Sequence, residues 1–375
     1  MSARQTAPPA DPAGLAPMDR AGRMGRLREL MAEAGCEALL VSNLTNVRYL
    51  TGFSGSAALL FVHPGGAVFV TDGRYATQAP AELAQSRVPA EVRVLPAVEQ
   101  PALLAEMAGE RPRVGLEAED VTWARQQRLR EEWPAGTALV ATVHLVEGLR
   151  RLKGPGEMAR VATAATTADR ALAQVAALLG ERPSEVEVAV ALDSEMRRLG
   201  AEAPAFPTIV ASGPNGAEPH HHPGARRLGP GELVVLDFGA RVDGYCSDMT
   251  RTVRSGGRAM DADLRRIEAV VLASQDAGLS AVRDGVAGAE VDRACREVVE
   301  AAGLGEFFVH GTGHGVGLDV HEAPSLSARS QDILCSGQVV TVEPGVYVAG
   351  LGGARTEDTV VVTEAGCEVL TLTPK

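Results

Sequence analysis

The sequence predicts an α/β protein of two domains, an alternating α/β half followed by a half built as a duplicated ααββ unit. Three observations predict it. Short apolar β-like runs alternate with helical patterns through the first half, a Gly-Pro-Gly breaker interrupts the chain at residues 154–156, and the second half repeats one strand pair. A length of 375 residues agrees with two domains at roughly 100–200 residues each.

In chain order, residues 1–18 are Ala/Pro-rich, lack the apolar stretch of a signal peptide and read as a disordered tail. Residues 19–150 form the first domain. Its β-like runs are 37–41, 57–62, 67–70 and 138–143, with helical patterns at 23–34 and 75–83 between them. Residues 149–156, Leu-Arg-Arg-Leu-Lys-Gly-Pro-Gly, read as the linker into a second domain over 151–375. An Ala-rich amphipathic helix follows over 157–179. Ser184 then caps a second helix that ends near Gly200, with Glu187 three residues on completing a capping box.

The repeat comes next. Gly231-Glu-Leu-Val-Val-Leu-Asp237-Phe-Gly239 matches Gly337-Gln-Val-Val-Thr-Val-Glu343-Pro-Gly345, each acid standing six positions after a leading glycine. A second strand follows each copy and carries a second acid, Asp248 in SDMTRTV and Glu357 in TEDTVVV, and helical stretches (157–200 and 261–303) precede each copy. Two antiparallel hairpins facing each other are the expected result.

Composition narrows the function. The chain is 45% hydrophobic and 22% charged, enough apolar material for buried cores and unlike a disordered chain. A net charge of −12 argues against nucleic acid or an anionic membrane as partner. No apolar run reaches the roughly 18 residues of a membrane-spanning helix. Five scattered cysteines, none spaced CxxC, suit reduced thiols in a cytoplasm rather than a disulfide frame or zinc knuckle.

The chemistry lies in the acids and histidines. A carboxylate ending an apolar strand costs several kcal/mol unless paired or bound to a cation. The repeat brings four together, Asp237, Asp248, Glu343 and Glu357, with no basic residue at the same positions, and one or two divalent cations are the natural resolution. Six of the eight histidines fall between residues 220 and 321, and His310, His314 and His321 share the glycine-rich segment HGTGHGVGLDVHEAP. One imidazole with four carboxylates is an oxygen-rich ligand set suited to Mn²⁺ or Co²⁺, with Zn²⁺ as an alternative. HGTGHGVG fits neither phosphate-binding pattern, His321-Glu322-Ala-Pro-Ser is not H-E-x-x-H, and Gly52-Phe-Ser54-Gly-Ser misses G-x-S-x-G. The nucleophile is therefore expected to be water activated by the metal.

These segments resemble the pita-bread metallopeptidases, specifically the Xaa-Pro peptidases aminopeptidase P and prolidase. The likeness lies in Pro-His at 219–220, LDFGA at 236–240, SDMTRT at 247–252, the histidine segment at 310–324, TVEPGVYV at 341–348 and RTED at 355–358. In the first half, NVRYLTGFSGS at 46–56 and TDGRY at 71–75 resemble the creatinase-type N-terminal domain. The resemblance implies a creatinase-like N-terminal α/β domain before a pita-bread catalytic domain. It implies that Asp237, Asp248, His314, Glu343 and Glu357 ligate two metals, Asp248 and Glu357 bridging them. It places His220, His310 and His321 in the substrate pocket and Arg355 in support of the ligands. Glu343 is implied as the proton carrier, and His321 and His220 as groups holding the oxyanion or the proline side.

The implied activity is hydrolysis of the bond between an N-terminal residue and proline. The N-terminal segments lean toward aminopeptidase P, with the dipeptide-specific prolidase as alternative. Arg48 and Arg74 are candidates to close the pocket on a substrate carboxylate, and a homodimer is implied by the resemblance alone. A catalytically silent pita-bread binding module is the remote alternative, and all five ligand positions carrying ligand-type residues count against it. Glu218 before Pro219, the His220–His222 triple and Ala354 before Arg355 depart from the family's pattern.

Overall fold

A computed structural model describes residues 14–375, which divide into two units, 18–150 and 151–375, the latter joined by residues 14–17. Of the expected tail, residues 1–13 lie outside the described residues. In the remainder, Leu15 packs against the core of the second unit and the Ala16 carbonyl accepts a 2.8 Å hydrogen bond from Arg160.

The first unit contains α1 (Arg20–Glu33), β1 (Ala38–Val41), α2 (Leu44–Thr51), β2 (Leu59–His63), β3 (Gly66–Thr71), α3 (Gln78–Gln85), β4 (Glu91–Val94), α4 (Gln100–Gly109), β5 (Arg113–Glu117), α5 (Trp123–Glu132), β6 (Ala138–Thr142) and α6 (Leu145–Arg150). Its six-stranded sheet runs β4-β3-β2-β1-β5-β6. β1, β2 and β3 are antiparallel neighbours, and the other pairings are parallel. The periodicity reading did not assign α2, β4, α4, β5, α5 or α6. α2 is marked only by its ends. Asn43 caps it by accepting from Thr45 and Asn46, and Gly52 closes it at φ 81°, which a β-carbon would disfavour.

The second unit holds α7 (Pro155–Val175), α8 (Glu185–Arg198), β7 (Ala203–Pro204), β8 (Ile209–Ser212), β9 (Leu233–Phe238), β10 (Ala240–Val242), β11 (Tyr245–Cys246) and β12 (Met249–Arg254). Then come α9 (Ala262–Ala281), α10 (Gly288–Ala301), β13 (Gly313–Gly315), β14 (Glu322–Leu326), β15 (Val339–Val342), β16 (Gly345–Val348), β17 (Gly352–Arg355), β18 (Asp358–Val362) and β19 (Cys367–Val369). Gly154-Pro155 does not break the helix it was read as preceding. Pro155 occupies the first helical position, where its missing N–H costs nothing, so α7 starts two residues earlier than expected. It also ends earlier, at Val175, and a 3₁₀ turn covers Leu178–Glu181. The Ser184/Glu187 capping box forms as expected, and such caps contribute about 1 kcal/mol.

The repeat is visible in the packing. β9 pairs antiparallel with β12, and β15 with β18. Ala168 and Leu172 of α7 and Val188 and Leu192 of α8 pack on Val234, Leu236, Phe238 and Met249. Ile267 and Val271 of α9 and Val291 and Val299 of α10 pack on Val340, Val342, Val360 and Val362. Strand side chains alternate in direction. Because those apolar residues face the helices, Asp237, Asp248, Thr250 and Glu357 stand at the opposite parity and face away from them. The alternation that builds the two cores therefore aims these acids at one interior space. Among the described residues, no helix is long and apolar enough to cross a membrane, and all five cysteines are free.

Candidate metal centre

Five of the residues singled out from sequence meet in one place. Asp248, His314 and Glu357 each offer an atom, and these atoms lie within 4.8 Å of one another. His314 Nε2 stands 3.7 Å from Asp248 Oδ2 and 3.3 Å from Glu343 Oε1. Asp237 joins through Arg355, whose Nη2 donates to Asp237 Oδ2 at 2.5 Å. Glycines permit the approach of β13: a β-carbon on Gly313 would lie 2.1 Å from the Thr341 carbonyl oxygen.

The hydrogen bonds leave the inward atoms open. His314 Nδ1 lies 3.0 Å from the Gly315 carbonyl, a pure acceptor, so Nδ1 carries a proton and Nε2 is turned to the acids. Thr250 Oγ1 donates to Glu357 Oε2 at 2.7 Å, which leaves Glu357 Oε1 buried with no partner. Asp237 Oδ1 is likewise buried and unpartnered. Two orphaned carboxylate oxygens beside an imidazole nitrogen fit a hard divalent cation, because a buried acceptor without a donor costs about 1–3 kcal/mol.

The electrostatics agree. Burial, then the charges of Glu357, Asp237 and Glu343, pushes Asp248 well above the ordinary carboxylate range. Burial, then Glu343 and Asp237, does the same to Glu357. Burial also raises Asp237, against the pull of Arg355. For Glu343 burial is outweighed by the hydrogen bond and charge of His314, which hold it down at about 2. That depression depends on a proton at His314 Nε2, the proton a cation at Nε2 displaces.

Arg355, which the resemblance implied as support for the ligands, has a side chain only 4% exposed and pairs with Asp237. The sequence reading missed Tyr347. Its hydroxyl accepts from Arg355 Nη1 at 2.7 Å and lies 2.8 Å from His310 Nε2, while His310 Nδ1 lies 2.7 Å from the Gly311 carbonyl. The chain therefore runs Arg355 to Tyr347 to His310. Burial lowers the pKa of His310 and pushes that of Tyr347 up to about 12. The signal was its place four residues after Glu343 in the quoted TVEPGVYV.

The cluster floors a cavity of about 550 Å³, with Phe206, Ile209, His220, His310 and His321 among its walls. Every residue lining it falls between 206 and 357. Arg48 and Arg74 belong to the first unit. Arg48 is half-buried in the last turn of α2, and Arg74 is exposed and held by Asp72 through bonds of 2.9 and 2.8 Å.

The raised acids make a stability prediction. In metal-free protein the folded state of Asp248 and Glu357 holds protons that the unfolded chain releases. Their contribution is therefore full below the ordinary carboxylate range and is lost as pH rises through the raised values. Melting of the metal-free protein should weaken more between about pH 5 and pH 8 in the wild type than in Asp248→Asn, which removes one titrating acid. Thermal scans of both proteins check this, and equal slopes would contradict it.

Comparison with known proteins agrees with this geometry. The model of metallopeptidase family M24 matches residues 159–364, and that of the creatinase/prolidase N-terminal domain matches residues 23–152. An uncharacterized peptidase of Bacillus subtilis, YqhT, is 38% identical over 94% of this chain and 98% of its own length. The solved Xaa-Pro dipeptidase of Bacillus anthracis superposes with a TM-score of 0.89 at 36% identity, covering 95% of this chain and 99% of the other. The X-Pro aminopeptidase of Thermotoga maritima superposes at 0.84 and 33% identity, covering 93% and 98%. With both family models matched in this order and Xaa-Pro peptidases among its relatives, the chain belongs to metallopeptidase family M24, among the Xaa-Pro peptidases.

Proposed function

We propose that the chain is a dinuclear metallo-exopeptidase that hydrolyses the bond between an N-terminal residue and proline, acting as a Xaa-Pro aminopeptidase. The observation that carries this reading is the convergence of Asp237, Asp248, His314, Glu343 and Glu357 around two orphaned carboxylate oxygens. These five residues would hold two divalent ions, Mn²⁺ in this reading, with Co²⁺ or Zn²⁺ as alternatives. When bound, such ions supply Lewis acidity that lowers the pKa of water and polarises a carbonyl. The reading includes a homodimer in the cytoplasm, with no nucleic-acid or membrane partner.

The remaining work falls to the chain's own side chains. Glu343, released from its bond to His314, takes the proton of the attacking water and delivers it to the departing proline nitrogen. Burial lowers the pKa of His321, and its neutral ring can donate to the developing oxyanion without adding charge of its own. His220 holds the proline side of the peptide. His310, Tyr347 and Arg355 fix Asp237 in place from behind.

The likeness to the dipeptidase of Bacillus anthracis favours a second reading, a Xaa-Pro dipeptidase, in which Arg48 and Arg74 are the candidates to meet the dipeptide carboxylate. Hydrolysis of Gly-Pro and of a Xaa-Pro-Xaa tripeptide, each metal-free and with added Mn²⁺, separates the two. Metal-dependent cleavage of the tripeptide is expected. Cleavage of the dipeptide alone makes the chain a dipeptidase, and cleavage of neither overturns the peptidase reading in favour of a binding module.

A further inference from the structure

Behind the cavity wall lies a polar network that the catalytic account does not use. Glu185, in the first turn of α8, is fully buried. Its Oε1 accepts from Ser212 N at 2.8 Å, Ser212 Oγ at 2.7 Å and Asn215 Nδ2 at 3.0 Å. Its Oε2 accepts from Gly224 N at 3.2 Å and lies 2.9 Å from His221 Nε2. The other ring nitrogen of His221 lies 2.9 Å from Glu218 Oε2. Both carboxylates are pure acceptors, so His221 donates from both nitrogens.

The partners of Glu185 sit at both ends and in the middle of the segment between β8 and Gly224. That segment carries Pro219, His220, His221 and His222, all of which line the cavity. Its Pro219 carbonyl also accepts from Arg355 Nη1 at 3.3 Å. One buried carboxylate therefore ties down the stretch of chain that presents His220 to the site. Burying it at the start of a helix, away from the cluster, costs desolvation that five donors offset, and a wall held only by apolar packing would need none of them.

We propose that Glu185, acting through His221 and Asn215, is a positioning residue that sets the 213–224 wall and thereby places His220 in the cavity. Glu218 is the outer end of the same chain of bonds, its side chain 68% exposed. This gives a role to the Glu218 and His221 departures from the family pattern. Only the kinetic part of the inference rests on the peptidase reading.

The test uses the full chain with His221→Asn, Glu185→Gln and Glu218→Gln, loaded with Mn²⁺ for the kinetics and with diamagnetic Zn²⁺ for the NMR. Glu218→Gln serves as the second variant, because its exposed position spares the core should the buried substitutions fail to fold. Imidazole resonances of His220 and His321 are followed by NMR beside the kinetics. The expected result is that His221→Asn shifts the His220 resonances and raises KM for a Xaa-Pro-Xaa tripeptide about tenfold with kcat little changed, a misplaced contact costing binding first. Glu218→Gln gives a smaller shift in the same direction. A lowered melting temperature with unmoved His220 resonances and unchanged KM would show a merely structural network and overturn the inference. Should the wild type cleave no Xaa-Pro peptide while the resonances still move, positioning stands and the peptidase reading fails.

Discussion

Glu357→Gln is expected to lower kcat/KM by about a thousandfold, equivalent to about 4 kcal/mol of transition-state stabilisation, and to make the metal-free protein more stable. The two effects share one cause. Glu357 is 1% exposed, has an unpartnered Oε1 and is pushed well above the ordinary carboxylate range by burial and by Glu343 and Asp237. An amide of the same shape removes one member of that repulsive set while keeping the oxygen that Thr250 bonds. Without a cation the acid is a liability, so its loss stabilises; with a cation it is a ligand, so its loss disables. Melting temperatures with and without Mn²⁺, beside steady-state rates, check both halves. A variant that is inactive and also less stable without metal would show that Glu357 serves packing rather than a cation.

Arg355→Met should be the most damaging single change to the fold of this unit, at about 3–5 kcal/mol, because it strands a buried charge. Arg355 donates to Asp237, to Tyr347, to Thr250 Oγ1 at 3.1 Å and to the Pro219 carbonyl. Removing it leaves Asp237 with both oxygens unpaired beside three other acids. Pairing the change with Asp237→Asn should recover part of the loss, since the charge that Arg355 compensated is then gone. Urea denaturation of the two single variants and the double variant measures this. Strict additivity of the two changes would contradict the pairing.

Much of this centre was legible in the sequence because two periodicities coincide there. The repeated Gly–apolar strand–acid pattern placed Asp237 and Glu343 at equivalent ends, and in the fold Asp237 lies in the last pleat of β9 while Glu343 directly follows β15. The two-residue alternation of a strand then decides that acids out of step with its helix-facing apolar residues look the other way. Arg355 was harder to place by pattern. It ends β17, a short strand of Gly-Gly-Ala-Arg with no apolar alternation, and only the folded chain brings it to Asp237, 118 residues away. Tyr347 was hidden for a similar reason, as an aromatic in an apolar strand reads as core until its hydroxyl is seen to bridge His310 and Arg355.

In the first unit the limit was length. β5 has an exposed Arg113 followed by four buried residues, and α5 carries Trp-Ala-Arg-Gln-Gln-Arg with a single buried leucine, Leu129. Neither offers a periodic signal, and each is held by its neighbours rather than by its own pattern. Glu185 was not singled out from the sequence, where only its neighbours Ser184 and Glu187 mark the cap of the helix. Its role depends on Ser212, Asn215, His221 and Gly224, none close to it in sequence.

The most direct test is the metal content of the purified chain after dialysis against Mn²⁺, counted by mass spectrometry beside Glu357→Gln. The account predicts two ions bound per chain in the wild type and fewer in the variant. A wild-type chain that retains no divalent metal and yet cleaves a Xaa-Pro peptide would contradict it.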